Sequence, residues 1–254
     1  MSIVSVVKRL FQEENEKADE PKNWTEIRGF SHPQRYTENY SKYSALGGRV
    51  QPEEDAERFA RGLVSHNNDM ARFYSFCLIS DLIEKDRVPG DFAELGVWQG
   101  NTAELLAAIA RRQARKLYLL DTFEGLPDAD LGRDEKHLAG AFMDTSVEAV
   151  RARVGEDGTV FVKGYFPETA AQLPADAQFS IVHIDCDLYA PMLAALDYFY
   201  PRMSPGGFIL MHDYGSLYWD GAEKAVDEFF ADKPEGVMPL PDLASTVVMR
   251  KNKR

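Results

Sequence analysis

The stretch GDFAELGVWQGNTAELLAAIARR, residues 90–112, decides the fold. It begins with an apolar run at residues 92–95 that is too short for a helix and predicts a strand. Gly96 and Gly100 bracket the turn that follows. Residues 101–112 then carry apolar side chains at helical spacing. A glycine-rich turn between a strand and a helix lets a ligand approach bare backbone, so this stretch predicts a ligand-binding unit of an α/β sheet.

Glu94 lies inside the strand run, where a carboxylate is costly unless something binds it. The pattern Glu94-x-Gly96-x-x-x-Gly100 differs from the Gly-x-Gly-x-x-Gly spacing of dinucleotide sites. It resembles the first motif of S-adenosylmethionine-dependent methyltransferases, whose loop holds the methionine end of a cofactor with a sulfonium and an ammonium. An acid beside the turn suits such a positive ligand better than a pyrophosphate. We therefore expect Glu94, Gly96, Gly100 and Thr102 to bind the cofactor, with Asn101 or Thr102 also capping the helix.

Composition limits the classes of function. The 254 residues suffice for one large α/β domain with extensions, and 44% of them are hydrophobic. The net charge of −12 repels phosphate backbones, so no nucleic-acid partner is expected. No apolar run approaches the roughly 20 residues that span a bilayer, so no membrane association is expected. The two cysteines, Cys77 and Cys186, predict reduced thiols in a cytoplasmic protein.

The chain divides into an accessory segment, residues 1–50, and a catalytic domain, residues 51–254. The first segment is rich in aromatic residues without a clear period, which is typical either of a lid over a small-molecule site or of a subunit contact. Helical spacing at residues 52–64 and 69–86 precedes alternating strands and helices, which predict a doubly wound, mostly parallel sheet. Further strands are expected at residues 117–120, 159–162, 179–184, 208–211 and 246–249. Helices are expected at residues 146–154, 191–200 and 221–230.

Acidic residues follow several of these strands. In open α/β sheets the ligand lies beyond the carboxyl ends of the strands, so we expect Asp121, Asp185 and the pair His212-Asp213 to share one crevice with Glu94. Asp121 comes 25 residues after Gly96, a position from which an acid typically accepts hydrogen bonds from ribose hydroxyls.

Asp185 and Asp213 are hard oxygen donors that could hold Mg²⁺ (or Mn²⁺), which would acidify a substrate hydroxyl. Asp187 could accept the hydroxyl proton. Imidazole is a poor Mg²⁺ ligand, so His212 is either a ligand of another metal, an outer residue, an alternative base or a satisfied histidine. We expect His183, inside a strand, to be a core histidine. Tyr189, Tyr214, Tyr218 and Trp219 follow the strand ends and could wall an acceptor pocket.

Together these blocks resemble the macrocin O-methyltransferase family, which includes sugar O-methyltransferases of antibiotic pathways. The matching blocks, all between residues 70 and 250, are GDFAELGVWQG (90–100), DTFEGLP (121–127), KGYFPET (163–169), HIDCDLY (183–189) and GGFILMHDY (206–214).

The resemblance implies a class I, Rossmann-like fold of seven strands with a reversed final strand. It also implies S-adenosylmethionine, a divalent metal and a hydroxyl acceptor on a small natural product. By position, it makes Asp185 and Asp213 metal ligands and Asp187 the general base. Members often carry an acid where this chain has His212, which we expect to act in catalysis or as a third ligand. The residues expected around the nucleoside are Asp121, Thr122, Phe123, Gly164, Tyr165, Phe166 and Asp185.

The leading hypothesis is therefore metal-assisted methyl transfer from S-adenosylmethionine to a hydroxyl, first of a sugar and otherwise of a phenol or other small molecule. A nicotinamide-dependent oxidoreductase is disfavoured, because the phosphate-binding glycine spacing is absent. A non-catalytic cofactor-binding module is a further alternative, because a fold does not guarantee chemistry. A homo-oligomer is expected from the aromatic N-terminal segment.

Overall fold

The computed structural model describes residues 70–126, 140–216, 220–242 and 245–253. The segment 1–50 with its expected lid or subunit contact, and the expected helix at residues 52–64, lie outside these ranges. So do Tyr218 and Trp219. Among the described residues, no helix combines the length and the apolar character needed to cross a membrane.

The described elements alternate between strand and helix. The helices are α1 Met70–Lys85, α2 Asn101–Arg112, α3 Val147–Val154, α4 Tyr189–Phe199 and α5 Asp220–Phe230. The strands are β1 Asp91–Leu95, β2 Leu117–Asp121, β3 Thr159–Lys163, β4 Phe179–Ile184, β5 Met203–Met211, β6 Met238–Pro239 and β7 Val247–Arg250. Two short 3₁₀ helices lie at Glu168–Gln172 and Tyr200–Arg202.

The seven strands form one sheet in the order β3-β2-β1-β4-β5-β7-β6. Neighbours from β3 to β5 are parallel, whereas β7 is antiparallel to both β5 and β6. This confirms the predicted doubly wound, mostly parallel sheet and its reversed final strand. From β1 the chain moves outward to β2 and β3 on one side of the sheet, and it then returns to add β4 and β5 on the other side. This reversal of direction leaves a crevice at the carboxyl ends of β1 and β4.

The register brings the strand ends to a common edge. Leu95 of β1 is paired with Leu120 of β2 and with Ile184 of β4, and Ile184 is paired with Met211 of β5. The residue after each of these four must therefore emerge at the same edge of the sheet. Those residues are Gly96, Asp121, Asp185 and His212.

Apolar helix faces cover both sides of the sheet. One buried cluster joins α1 and α2 to Phe92, Leu119 and Ile181. The other joins α4 and α5 to Ala93, Leu120 and Val182. Successive strand residues point to opposite faces, so a strand such as β4, which is buried at all six positions, contributes to both clusters.

Two local expectations were wrong, and one strand was not located from the sequence. Strand β5 begins at Met203, before the expected start at residue 208, because the ladder to β4 continues past a register shift. Strand β6, which the spacing did not locate, has two exposed residues that carry no periodicity. Neither Asn101 nor Thr102 caps α2: Gly100 is the N-cap with φ 80°, and both side chains are buried beside the cavity described below.

Candidate active site

A cavity of about 520 Å³ opens at the carboxyl edge of the sheet. Its wall contains most of the residues predicted from sequence: Glu94, Gly96, Thr102, Asp121, Thr122, Gly164, Tyr165, Phe166, Asp185, Asp187, His212 and Asp213. Four strand ends therefore meet around one space, as the register requires.

Two of the expected cofactor residues, Phe123 and Gly100, do not line the cavity. Phe123 is only 2% exposed and packs in the core, while its N–H donates to Asp121 Oδ1 over 2.6 Å. Gly100 faces α3, where a Cβ would lie 2.9 Å from Val150 Cγ1. Because neither residue faces the cavity, the structure gives both a supporting role: they shape the turns whose backbone the cavity exposes.

Gly96 lies where the turn after β1 crosses the chain leaving β4. Its φ is 83°, and a Cβ there would lie 1.8 Å from the Asp185 carbonyl oxygen. The crossing is held by the Gly96 N–H to Leu120 O at 3.0 Å and by the Asp185 N–H to Leu95 O at 2.8 Å. Only glycine has both the conformation and the space for this position.

Asp121 organises the same turn. Its Oδ2 accepts the N–H groups of Val97 at 2.5 Å and Trp98 at 2.9 Å, and its Oδ1 accepts that of Phe123. The carboxylate thus fixes the backbone of two turns on the cavity wall. Each oxygen has further acceptor capacity, and the expected contact with a ribose hydroxyl stays a prediction.

Glu94 is buried beside the cavity and paired with His183. Glu94 Oε1 and His183 Nδ1 are 3.0 Å apart, and the side chain of Glu94 is 2% exposed. Burial, together with the nearby charges of Asp185 and Asp121, raises the pKa of Glu94 well above its usual value despite the opposing charge of Arg72. The other oxygen, Oε2, has no hydrogen-bond partner among the described residues. A buried acceptor left open on a cavity wall is suited to a donor or a cation supplied by a ligand.

His212 lies between two carboxylates. Its Nδ1 is 2.8 Å from Asp185 Oδ1 and 2.8 Å from Asp213 Oδ2. One donor atom from each of the three side chains lies within 4.8 Å of the others, a grouping that could hold a metal ion. Burial favours the neutral imidazole, but the charge of Asp185 and the two hydrogen bonds outweigh it and raise the pKa of His212 to about 10. Without a metal, an imidazolium therefore bridges the two acids.

Asp187 and Asp213 are both held in left-handed backbone conformations, with φ 61° and 60°. Such conformations are uncommon for residues other than glycine and cluster at functional sites. Burial, the charges of Asp213 and Asp185, and a hydrogen bond to Asp213 raise the pKa of Asp187 well above its usual value. Once ionised, a carboxylate whose pKa is raised is a stronger base than an ordinary carboxylate, and it takes up a proton more readily.

Sequence reasoning missed Arg72 of α1. Its side chain is 1% exposed, and its Nη1 lies 3.6 Å from Asp185 Oδ2. No local signal identified it, because a charged residue in a helical pattern ordinarily lies on the solvent face. The expected acceptor wall also differs: the hydroxyls of Tyr189 and Tyr214 bond to Glu228 and Asp227 of α5, and neither ring lines the cavity.

Two aromatic residues on the wall were not singled out either. Trp98 and Phe142 both line the cavity. Trp98 lies inside the glycine turn, and a large aromatic side chain at that position was the signal that could have identified it as a wall residue. Phe142 lies in the long segment between β2 and α3, where nothing in the spacing pointed to it.

Comparison with known proteins places this geometry in a family. The family model described as macrocin-O-methyltransferase (TylF) matches residues 3–248. The 8-demethyl-8-(2,3-dimethoxy-alpha-L-rhamnosyl)-tetracenomycin-C 4'-O-methyltransferase of Streptomyces olivaceus is 32% identical over 160 residues, 57% of this chain and 59% of that protein. The demethyldecarbamoylnovobiocin O-methyltransferase of Streptomyces niveus is 30% identical over 167 residues, 60% of this chain and 62% of that protein. The chain thus matches about 60% of the length of these curated relatives.

Solved structures of two methyltransferases have a similar fold. The O-methyltransferase NovP has a TM-score of 0.64 at 26% identity, over 72% of this chain and 80% of that one. The calicheamicin methyltransferase CalS11 has a TM-score of 0.61 at 20% identity, over 92% of this chain and 98% of that one, which is a likeness of fold. Because the family model covers nearly the whole sequence, and the strand-end motifs meet around one cavity, the chain belongs to the macrocin O-methyltransferase (TylF) family.

Proposed function

We propose that the protein transfers the methyl group of S-adenosylmethionine to a hydroxyl of a small molecule, in the first place a sugar of a natural product. The observation that carries this proposal is the single cavity shared by the glycine turn and the acids after β4 and β5. A donor held at the turn would present its reactive end to those acids.

The cavity fits the donor in size and charge. Pockets for drug-sized ligands measure roughly 300–1,000 Å³, and this cavity measures about 520 Å³. The open Oε2 of Glu94 would receive a positive group, and the positive ligand would offset the cost of ionising this buried acid. Gly96 lines the same cavity, so a ligand held there would lie against the turn after β1.

The donor set after β4 and β5 fits a divalent cation. Asp185, Asp213 and His212 would hold Mg²⁺ or Mn²⁺, of which Mn²⁺ accepts imidazole more readily. Burial and the neighbouring acids raise the pKa values of Asp187 and Asp213, which supports a bound cation as the group that would let these crowded acids ionise together. When bound, such an ion supplies Lewis acidity that lowers the pKa of a hydroxyl beside it.

The residues of the chain then have separable tasks. The glycine turn and Asp121 position the donor, and the acids after β4 and β5 orient the acceptor hydroxyl. The acceptor oxygen forms a bond to the methyl carbon as the bond from that carbon to sulfur breaks, which leaves neutral S-adenosylhomocysteine. The hydroxyl proton passes to the carboxylate of Asp187. Alignment contributes much of the rate, because the displacement is in line.

Sugar acceptors are our first choice because of the relatives' names. The S. olivaceus relative is named for a rhamnosyl tetracenomycin, and a Micromonospora griseorubida relative that is 30% identical is named mycinamicin III 3''-O-methyltransferase. The sequence predicts reduced thiols at Cys77 and Cys186, which suit a reducing compartment, and we place the reaction in the cytoplasm. A homo-oligomer stays a prediction from sequence.

Calorimetry with S-adenosylhomocysteine tests the donor assignment. One molecule should bind per chain and raise the melting temperature, whereas NADH should do neither. If S-adenosylhomocysteine does not bind the full chain, the proposal fails.

Asp187→Asn tests the base. It should bind S-adenosylhomocysteine about as well as the wild type and lower kcat by roughly 100- to 10,000-fold with a glycosylated acceptor. The exposed Asp157 supplies a matched control, because Asp157→Asn removes a carboxylate far from the cavity wall. Full turnover by Asp187→Asn would show that another group takes the proton.

A further inference from the structure

The segment 140–146 is hydrogen-bonded directly to the glycine turn at the cavity wall. Phe142 of this segment and Trp98 of the turn both line the cavity, with ring centroids 5.5 Å apart at an angle of 71°. Both residues have positive φ, 61° and 45°. Bulky residues rarely adopt this conformation, which persists only where surrounding contacts enforce it. The contacts that hold these two rings therefore decide the shape of this part of the wall.

Trp98 is held at each of its three polar groups. Its backbone N–H donates to Asp121 Oδ2 over 2.9 Å, and its carbonyl accepts the hydroxyl of Thr145. Its indole Nε1–H donates to Asp144 Oδ1 over 2.7 Å. Two of the three bonds thus connect the turn to the segment that carries Phe142.

Asp144 also holds the next residue of the turn. Its second oxygen, Oδ2, accepts Gln99 Nε2 over 2.8 Å. One carboxylate therefore spans two adjacent turn residues that are 45 and 46 positions away in sequence. Asp144 itself is exposed and does not line the cavity. Hydrogen bonds to an ionised acceptor are stronger than neutral ones, and keeping this carboxylate in water costs little desolvation.

The segment is anchored on its other side as well. Leu126 donates its N–H to the carbonyl of Ala141 over 3.0 Å, and a Cβ on Gly125 would lie 2.6 Å from that carbonyl oxygen. With this side fixed by backbone packing, the side chains of Asp144 and Thr145 connect the segment to the turn, and Asp144 is the one that holds the Trp98 ring.

We propose that Asp144 is a positioning residue for the methyl donor: it holds Trp98 and Phe142 in place as the wall of the donor cavity. The inference rests on the proposed function, because the wall matters only if the cavity takes the donor. A wall that is already ordered costs nothing to order when the donor binds, so losing Asp144 should weaken donor binding. At saturating donor, kcat should change little, because Asp144 touches no reacting group.

Calorimetric titration of the full chain with S-adenosylhomocysteine tests this. Asp144→Ala should raise Kd roughly tenfold, the equivalent of one charge-assisted hydrogen bond. Asp144→Asn should raise it less, because an amide oxygen still accepts the indole N–H. The control Asp157→Ala should leave Kd unchanged, since that side chain is exposed and away from the cavity. Without ligand, the melting temperature of the two Asp144 variants should fall by no more than about 4 °C, because hydrogen bonds of an exposed carboxylate add little to global stability. That of Asp157→Ala should stay the same.

A double-mutant cycle separates positioning from general damage. Trp98→Phe keeps an aromatic ring but cannot donate from Nε1, so it should also weaken binding. If Asp144 acts through Trp98, Asp144→Ala should cost less affinity in the Trp98→Phe background than in the wild type.

The inference would be overturned if the increases in Kd caused by Asp144→Ala and Trp98→Phe simply multiplied in the double variant. It would also be overturned if Asp144→Ala bound within twofold of the wild type. A ligand-free melting temperature of Asp144→Ala more than about 10 °C below that of the wild type would overturn it too, because it would indicate general damage to the fold. Failure of the wild type itself to bind would refute the proposed function instead.

Discussion

Replacing Gly96 with alanine should disrupt the donor cavity and destabilise the fold. The new Cβ would lie 1.8 Å from the Asp185 carbonyl oxygen, whereas ordinary contact begins at 3.4 Å. The chains after β1 and β4 would have to separate by about 1.6 Å, the difference between those two distances. That shift would break the two backbone hydrogen bonds at the crossing, from Gly96 to Leu120 and from Asp185 to Leu95.

The expected loss follows from these contacts. An alanine in the left-handed conformation costs about 1–2 kcal/mol. Two broken hydrogen bonds cost about 0.5–1.5 kcal/mol each. The free energy of unfolding should therefore fall by roughly 2–5 kcal/mol, which for a chain of this size lowers the melting temperature by roughly 4–20 °C. Binding of S-adenosylhomocysteine should be lost, because the shifted backbone is the cavity wall.

Scanning calorimetry with and without S-adenosylhomocysteine measures both effects, and two other glycines serve as controls. At Gly236 a Cβ would meet nothing within 4 Å, so alanine there should change the melting temperature by no more than about 2 °C. At Gly100 the φ is 80°, but the nearest atom belongs to the Val150 side chain, so alanine should cost about 1–2 kcal/mol without abolishing binding. A Gly96→Ala protein that melts like the wild type and binds the ligand normally would refute this account of the turn.

Two further predictions concern pH. Burial favours the neutral form of Glu235, but the Tyr200 hydroxyl at 2.6 Å, the Asn252 N–H and Lys251 hold the pKa of that carboxyl below its usual value of 4.5. The stability that this adds is present above about pH 4.5 and is lost as the pH falls through the lowered pKa. In Glu235→Gln the melting temperature should therefore fall less steeply below about pH 4.5 than in the wild type. Parallel curves of melting temperature against pH for the two proteins would contradict this prediction. His212 must release its proton before Nδ1 can ligate, so calorimetric Mn²⁺ affinity should rise between roughly pH 6 and pH 9 with proton release, and an affinity independent of pH would exclude His212 as a ligand.

The sequence by itself determined the order of the elements and the edge at which the site lies. Continuous apolar runs predict strands buried on both faces, and parallel strands bring their carboxyl ends to one edge of a sheet. This is why Gly96, Asp121, Asp185 and His212, spread over 117 positions from first to last, could be expected around one crevice. Local spacing also identified Gly96 as part of the turn between the first strand and the first helix of the sheet.

Only the tertiary structure decided which partner each side chain meets. The carboxylate of Asp121 is taken by backbone N–H groups, Nδ1 of His212 lies between two acids, and Asp144 reaches Trp98 from 46 positions away. Arg72 of α1 reaches Asp185 in the site, although a charged residue in a helical pattern ordinarily lies on the solvent face. Periodicity reports which face of an element a residue occupies, but hydrogen bonds and pKa shifts depend on distances of a few ångströms between elements far apart in sequence, and the packing of the elements sets those distances.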